Sequence, residues 1–372
     1  FMLAGLSGLI LLMLWDLMLN GRLVSGSYFT STYWHAHEML LGYTVAVIAG
    51  FLLTAVKNWT GKPTVSGGKL AGLSFIWLLG RIAPFCSGFL PYHLIALTDI
   101  MFLPVLMVCI GRPIAAAKQN HNLIFIGLLL LILIGNILVH IELLGYQANT
   151  ARLGLQLILY TVIILILIIA GRVVPFFTER GLPGTVVNRN PKLDNGAIWS
   201  AVLFFGLQLF NVSGVLLAVA AILAAIINIV RLAGWYTQKI WDAPLLWILY
   251  VGYGWIIIGF AISAFSAYLL IQPSLSLHAF TVGGIGTLTL GMMARVSLGH
   301  TGRLLVASRA IAIAFVLINV AAFIRIVLPI ALPHWYQTFI YGSSLAWFSA
   351  FSLFIFVYTP ILSSKRIDGL EG

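Results

Sequence analysis

Charge is what this sequence has least of. Only 8% of its 372 residues are Asp, Glu, Lys or Arg, against 61% that are hydrophobic. So little charge cannot cover a water-facing surface, and a separate soluble domain is excluded. Acidic residues are the scarcest: nine Asp and Glu stand against twenty Lys and Arg, for a formal charge of +11. In a soluble protein that excess would suggest nucleic acid as a partner. Here the basic residues are spread over many short loops, where membrane orientation is the better explanation, and no nucleic-acid partner is expected. Cysteine is nearly absent. Cys86 and Cys109 fall near opposite ends of successive apolar runs, an awkward placement for a disulfide. There is no Cys-x-x-Cys-His sequence, so any haem would be held non-covalently, as b-type. No charged leader or small-residue cleavage site precedes the opening run FMLAGLSGLILLMLW, so no signal peptide is expected.

What the sequence does have is long apolar runs, with a mean hydropathy of +1.08. At roughly 20 residues per span the chain holds about a dozen crossings of a lipid bilayer. The expectation is an all-α fold, a polytopic transmembrane helical bundle of about 12 spans forming a single integral membrane domain over 1–372. The spans are placed at about 2–19, 35–56, 70–89, 91–111, 122–144, 153–172, 195–212, 215–232, 243–270, 278–297, 304–330 and 338–361. Charge tests that count. The connections after even-numbered spans, with the C-terminal tail, carry 16 of the 20 basic residues, while the alternate connections carry only Arg22 and Arg152. Arg81 and Arg325 fall inside spans. By the positive-inside rule both termini are cytoplasmic. One internal echo, GRIAPFCSGFLP from Gly80 and GRVVPFFTERGLP from Gly171, ends spans of opposite direction; an inverted repeat and a shared helix-ending device both explain it.

This topology sorts the histidines. His35, His37, His93, His140, His278 and His334, six of eight, share the outer face, and His121 and His300 are cytoplasmic. A single interfacial histidine is often an amphipathic anchor. Six at one depth beside Glu38, Glu142 and Asp99 also suit metal binding, because ionisable groups near hydrocarbon are costly and imidazole ligates haem iron, copper and zinc. In the stretch TYWHAHEMLLG, residues two apart on a helix point about 200° apart, so His35 and His37 cannot aim at one point if both are helical. Either each serves a different partner or His35 lies in a non-helical cap. Glu38 would orient a ligand histidine or accept from a cap amide.

The tenth span, HAFTVGGIGTLTLGMMARVSLGHTGR, has glycines at 283, 284, 286 and 291 that permit close approach by a neighbouring helix or by a flat porphyrin. Met292 and Met293 suit the filling of core gaps, and thioethers also bind haem or Cu(I). Arg81 and Asp99 are placed to neutralise each other across an outer hairpin, and Arg325 to meet a haem propionate, an anion or Glu142, or else to snorkel. Tyr28, Tyr33, Trp34, Tyr92, Tyr146, Trp335 and Tyr336 are expected in an outer aromatic belt, Trp59 and Trp235 in an inner one. Tyr33 and Tyr336 are near enough in topology to donate to the histidine cluster.

WHAHEMLLGYTVAVIAGFLLTAVKNWTG, AGRVVPFFT and HAFTVGGIGTLTLGMMARVSLGHTGR resemble the characteristic blocks of the NnrS family, haem- and copper-containing bacterial membrane proteins linked to nitric oxide and denitrification. The resemblance runs from the first span to the region of Arg325. It implies about twelve spans in the bacterial inner membrane, multi-pass, with haem and copper as cofactors and a part in nitrosative-stress defence or denitrification. The motif positions carried over are His35, His37, Glu38, Asn58, Trp59, Arg172, His278, Arg295, His300 and Arg303. Haem-copper oxidases invite comparison, but this chain has no adjacent His-His pair and no His-x-His in its tenth span.

The resulting expectation is a protein that binds or converts nitric oxide, or a related small apolar ligand such as an iron-nitrosyl species, supplied by a membrane or periplasmic electron donor. Haem ligands are expected among His35, His37 and His278, with Arg325 and Arg81 for propionates. His93, His140 and His334 are expected to hold copper or a second haem, supported by Glu38, Glu142, Asp99, Tyr33 and Tyr336. The alternative is a transporter, sensor or maturation factor with a periplasmic-side histidine metal site and no turnover.

Overall fold

A computed structural model describes residues 1–24 and 26–369. Twelve helices of span length follow one another, and no strand occurs among the described residues. They are α1 (Met2–Leu19), α2 (Ser31–Thr60), α3 (Gly67–Cys86), α4 (Tyr92–Ala116), α5 (Asn120–Leu143), α6 (Thr150–Gly181), α7 (Pro191–Leu209), α8 (Val215–Trp235), α9 (Pro244–Ser266), α10 (Pro273–His300), α11 (Arg309–Ala331) and α12 (Pro333–Ser363). Eleven are long and apolar enough to cross a membrane. The exception is α7, which opens with Lys192 and Asp194 in its first turns. The protein is a multi-pass membrane helical bundle. Backbone polar groups inside lipid must bond within the segment, which is why an apolar run of this length becomes a helix.

The helices run past several expected ends. α2 starts at Ser31, where the Thr30 hydroxyl accepts from the Tyr33 amide, so His35 and His37 are both helical. α6 continues through Arg172 and Pro175, whereas the matching Arg81-x-x-Pro84 ends in a short 3-10 turn over Ala83–Cys86. The two echoes therefore share sequence but not local structure. Arg231 lies inside α8 and is buried. The Asp194 carboxylate at 2.7 Å and the Tyr253 hydroxyl and Leu167 carbonyl at 3.0 Å hold it there.

Two spans share one irregularity. Directly after His37 the α2 helix widens to π geometry over Glu38–Thr44, and directly after His278 α10 does so over Ala279–Gly286. Such wide turns are rare and concentrate at functional sites, because they re-aim side chains that a regular helix would spread apart. In α2 the loosened backbone is secured by side chains: Thr44 donates to the Met39 carbonyl at 2.8 Å and Trp77 to the Gly42 carbonyl at 3.1 Å.

The chain forms two compact units. The first comprises Phe1, Leu3 and Ile10–Val162, the second Met2, Ala4–Leu9 and Ile163–Gly372. In the second unit the glycines of α10 settle one open alternative. A Cβ at Gly283 would stand 2.7 Å from Trp255, at Gly284 2.7 Å from Ile256, at Gly286 2.6 Å from Trp347 and at Gly291 2.7 Å from Ile248. These faces are filled by α9 and α12, so the glycines serve helix packing rather than a porphyrin slot.

Candidate metal centre

The first unit buries an unusual amount of polarity at the end where α3 and α5 finish and α2 and α4 begin. His37 and Glu38 come from α2, Arg81 from α3, Asp99 from α4, and Asn136 and His140 from α5. None of these side chains is more than 9% exposed. Buried charge survives where it is paired, and each charge here has an opposite partner, while Glu38 Oε2 and Arg81 Nε stay without a hydrogen bond.

Close backbone approach makes the convergence possible. Gly80 precedes Arg81 on α3, and a Cβ there would stand 3.0 Å from both the Cα and the Oδ1 of Asp99. α3 and α4 can therefore touch, and the expected Arg81–Asp99 ion pair forms through Nη2 and Oδ1. Arg81 Nη1 donates to Glu38 Oε1 at 2.6 Å, so one guanidinium bridges two carboxylates. The loop before α2 reaches the same place by a tight bend at Gly26, whose φ of +81° favours glycine and where an added Cβ would stand 2.6 Å from the Ser87 hydroxyl. That bend carries Tyr28 and Phe29 inward. The Tyr28 hydroxyl is 2.7 Å from His140 Nδ1, and the Phe29 ring lies 4.9 Å from the His37 ring.

The two histidines meet at Asp99. Its Oδ2 is 3.2 Å from His37 Nε2 and 2.9 Å from His140 Nε2, and it accepts from the Asn136 amide at 2.8 Å. One nitrogen of each histidine and one oxygen of Asp99 lie within 4.8 Å of one another, a separation that a single metal ion can bridge. Each of the three donors is held from behind: His37 Nδ1 by Glu38 Oε1 at 3.1 Å, His140 Nδ1 by Tyr28, and Asp99 Oδ1 by Arg81. Backing of this kind fixes ring orientation and raises ligand basicity at metal sites.

Hydrogen accounting gives the state of the cluster without a metal. Asp99 Oδ2 only accepts, so both histidines donate to it from Nε2. His140 Nδ1 then carries the lone pair and accepts from the Tyr28 hydroxyl. His37 Nδ1 faces a carboxylate, so a second proton sits between His37 and Glu38. One guanidinium and one shared proton thus balance two carboxylates, and the cluster is neutral. Ligation through Nε2 requires each ring to keep its proton on Nδ1. Glu38 and Tyr28 are the acceptors placed for that tautomer.

The chain matches the NnrS protein family model over residues 1–366. It belongs to the NnrS family. No curated protein matches it. In this member the motif blocks lie at different kinds of place. His35 stacks on Trp15, with ring centroids 4.3 Å apart and planes 19° apart, while His37 enters the buried cluster; each histidine of the opening motif has its own partner. Trp59 stacks on Phe125 at 5.2 Å, and Asn58 and Arg172 are exposed. Arg295 is buried with its guanidinium 4.0 Å over the Phe177 ring. The His300 carbonyl accepts from Arg366 at 2.9 Å, and Arg303 donates to Ser364 at 3.2 Å.

The other sequence-selected residues are spread out. His93 is exposed and 2.8 Å from the Tyr146 hydroxyl, and His334 is exposed on the turn Pro333–Trp335. Glu142 caps α6 by accepting from the Ala151 amide at 2.8 Å. Tyr33 lies on the first turn of α2. In the second unit, His278, Arg325 and Tyr336 come together: Arg325 Nη2 is 3.3 Å from His278 Nε2 and 3.0 Å from the Tyr336 hydroxyl.

Sequence reasoning missed Tyr28 and Asn136. Tyr28 and Trp34 were assigned to the interfacial belt, yet both are core residues at 3% and 0% exposure. Asn136 carried a usable signal, since it is the lone amide in LLLLILIGNILVH and precedes His140 by four residues, one helical turn on the same face. Tyr28 carried none, because its place depends on a loop folding back.

Proposed function

We propose that this protein is a metalloprotein of a bacterial inner membrane, with both termini cytoplasmic, that holds copper at His37, His140 and Asp99 and a b-type haem through His278, and binds or converts nitric oxide in nitrosative-stress defence or denitrification. The observation that carries the reading is the convergence of two imidazole nitrogens and a carboxylate oxygen in a fully buried, charge-balanced cluster of a member of this family. A purely structural ion network would need Arg81 and two acids but not two histidine rings meeting nitrogen to oxygen on one carboxylate.

The donor sets fit the groups named. Imidazole with carboxylate suits copper, zinc and iron. At the second site His278 donates Nδ1–H to the Ser274 carbonyl at 2.6 Å, which leaves Nε2 as the lone-pair nitrogen, the form that ligates haem iron once it gives up its 3.3 Å contact with Arg325 Nη2. When bound, copper or haem iron supplies a centre that takes up nitric oxide and exchanges electrons. The protein's own residues do the rest. Glu38 and Tyr28 accept hydrogen bonds from the ring Nδ1–H groups. Asn136 holds Asp99 in place as the histidines release it. Trp34 and Phe29, both buried, exclude water, and a small apolar ligand such as nitric oxide partitions into that setting readily.

The carboxylate in the donor set favours one second reading of the metal, since two histidines and one carboxylate is also the set that holds non-haem iron(II). Elemental analysis of the purified protein, with a visible spectrum recorded before and after dithionite and nitric oxide, tests the proposal. The expected result is copper near one equivalent per chain, lost in His37→Ala and His140→Ala, and a Soret band that shifts with nitric oxide. A colourless, metal-free wild-type protein after purification without chelators defeats it. A coloured protein that consumes no nitric oxide with any reductant would support a sensor or maturation role instead.

A further inference from the structure

Charge is compensated at some arginines within the helices of this chain and not at the half-buried Arg325. Arg81 has Glu38 and Asp99, and Arg231 has Asp194. Arg325, on α11, has no carboxylate within ion-pair distance among the described residues. A membrane-embedded guanidinium without a counter-charge is expensive, and its partner Tyr336 packs against an apolar core that includes Trp255, Leu275, Ala279, Ala322 and Ile326.

The polar groups around Arg325 are neutral and already oriented. His278 gives its Nδ1 proton to the Ser274 carbonyl, so its Nε2 accepts from Arg325 Nη2. Nη2 also donates to the Tyr336 hydroxyl at 3.0 Å, and the Tyr336 ring lies 4.9 Å beneath the guanidinium carbon. Because that hydroxyl oxygen accepts, its own proton remains to be donated. Arg325 Nη1 is buried with no hydrogen-bond partner. Two donors and one full positive charge are therefore left over in one place, where His278 ends the first α-helical turns of α10 and the π-helical stretch begins. A cation cannot fill it, and a neutral ligand leaves the charge uncompensated.

The geometry points to a binding site for one carboxylate or small oxyanion, held by Arg325 Nη1 and the Tyr336 hydroxyl. The site does not rest on the metal cluster of the first unit. Its ligand is either the carboxylate of a resident molecule, such as a cofactor or lipid, or a free anion of the same chemistry.

The test uses the full chain purified in detergent, as wild type, Arg325→Gln, Arg325→Lys and Tyr336→Phe. Organic extracts are first read by mass spectrometry. A carboxylate-bearing compound retained by wild type and absent from Arg325→Gln identifies a resident ligand. If wild type retains none, its thermal midpoint is titrated with sodium formate and sodium nitrate against sodium chloride at equal ionic strength. The expected result is a saturable rise, lost in Arg325→Gln, weakened in Arg325→Lys, and shifted about tenfold or more to higher concentration in Tyr336→Phe, as for loss of one hydrogen bond to a charged group. Metal content at His37 and His140, which lie outside the site, together with a single size-exclusion peak, reports folding; should Arg325→Gln fail to fold, Tyr336→Phe carries the test. The proposal is overturned if wild type retains no anionic compound and responds to neither anion beyond chloride, or if the folded variants match it in both arms. Failure here with metal still bound at the first unit would leave the metal-centre reading untouched.

Discussion

Replacing Arg81 by Gln removes the one fixed cation of the first unit's cluster. Its guanidinium bridges Glu38 Oε1 at 2.6 Å and Asp99 Oδ1, and both carboxylates are at most 1% exposed. Breaking a buried pair by deleting one partner costs about 3–5 kcal/mol, because the remaining charge has no water to turn to. Glutamine spans part of the gap but brings no charge. With an unfolding entropy of about 2 cal/mol/K per residue, a loss of about 4 kcal/mol lowers the thermal midpoint of a chain this long by about 5 °C. Charge arithmetic supplies the sharper test. Arg81→Gln leaves two carboxylates against the single proton shared by His37 and Glu38. Asp99→Asn leaves a guanidinium and that proton against one carboxylate. The double variant restores neutrality, so its midpoint should lie above the sum of the two single shifts, by an amount equivalent to about 2 kcal/mol. The assay is the heat-induced loss of the monodisperse peak in detergent for all four proteins. Strictly additive shifts, or an Arg81→Gln midpoint within about 1 °C of wild type, would refute the claim that these charges are dry and mutually dependent.

Tyr28→Phe keeps the ring against Phe29 and Tyr92, with centroids 5.2 and 5.1 Å away, but removes the hydroxyl behind His140; copper affinity should fall about 10- to 100-fold with little change in thermal midpoint, measured by competition with a chromophoric chelator. His278→Ala should abolish the Soret band while His121→Ala, at an exposed position of the turn Asn120–Asn122, leaves it intact, and equal loss from both would remove His278 from the haem assignment. Gly283→Ala pushes a methyl group to 2.7 Å from Trp255 and should cost about 1–3 kcal/mol, whereas Gly254→Ala, with nothing within 4 Å, should be neutral or mildly stabilising; equal midpoints would mean that α9 and α10 are not in close contact.

The motif TYWHAHEMLLG shows where the boundary between sequence and tertiary information falls. Helical periodicity already separates His35 from His37, since neighbours two apart cannot face one target. Periodicity cannot say which of them turns inward, because that depends on the segment lying opposite. Trp15 sits opposite one, and Asp99 with Asn136 opposite the other. The regular α pattern also sets Glu38 on the face of His35, and the wide turn beginning at Glu38 instead brings its carboxylate to the ring of His37. Backbone irregularity of that kind leaves no periodic trace in the sequence.

The sequence by itself determined the membrane class, the all-helical architecture, the spans and the family, because the bilayer imposes one requirement on every apolar run and residue order alone satisfies it. It also foresaw the meeting of Arg81 with Asp99, since a short hairpin leaves two opposite charges in hydrocarbon few other partners. Tertiary structure decided which histidines share a carboxylate. His37 and Asp99 are 62 residues apart and His37 and Asn136 are 99 apart, so their meeting is set by how helices from distant parts of the chain pack. It decided as well that Tyr28 is a buried partner of His140 rather than a belt residue, through a bend at Gly26 packed closely against Ser87. Hydropathy is a property of a segment and survives in the sequence; coordination is a property of several segments at once and exists only when they are packed.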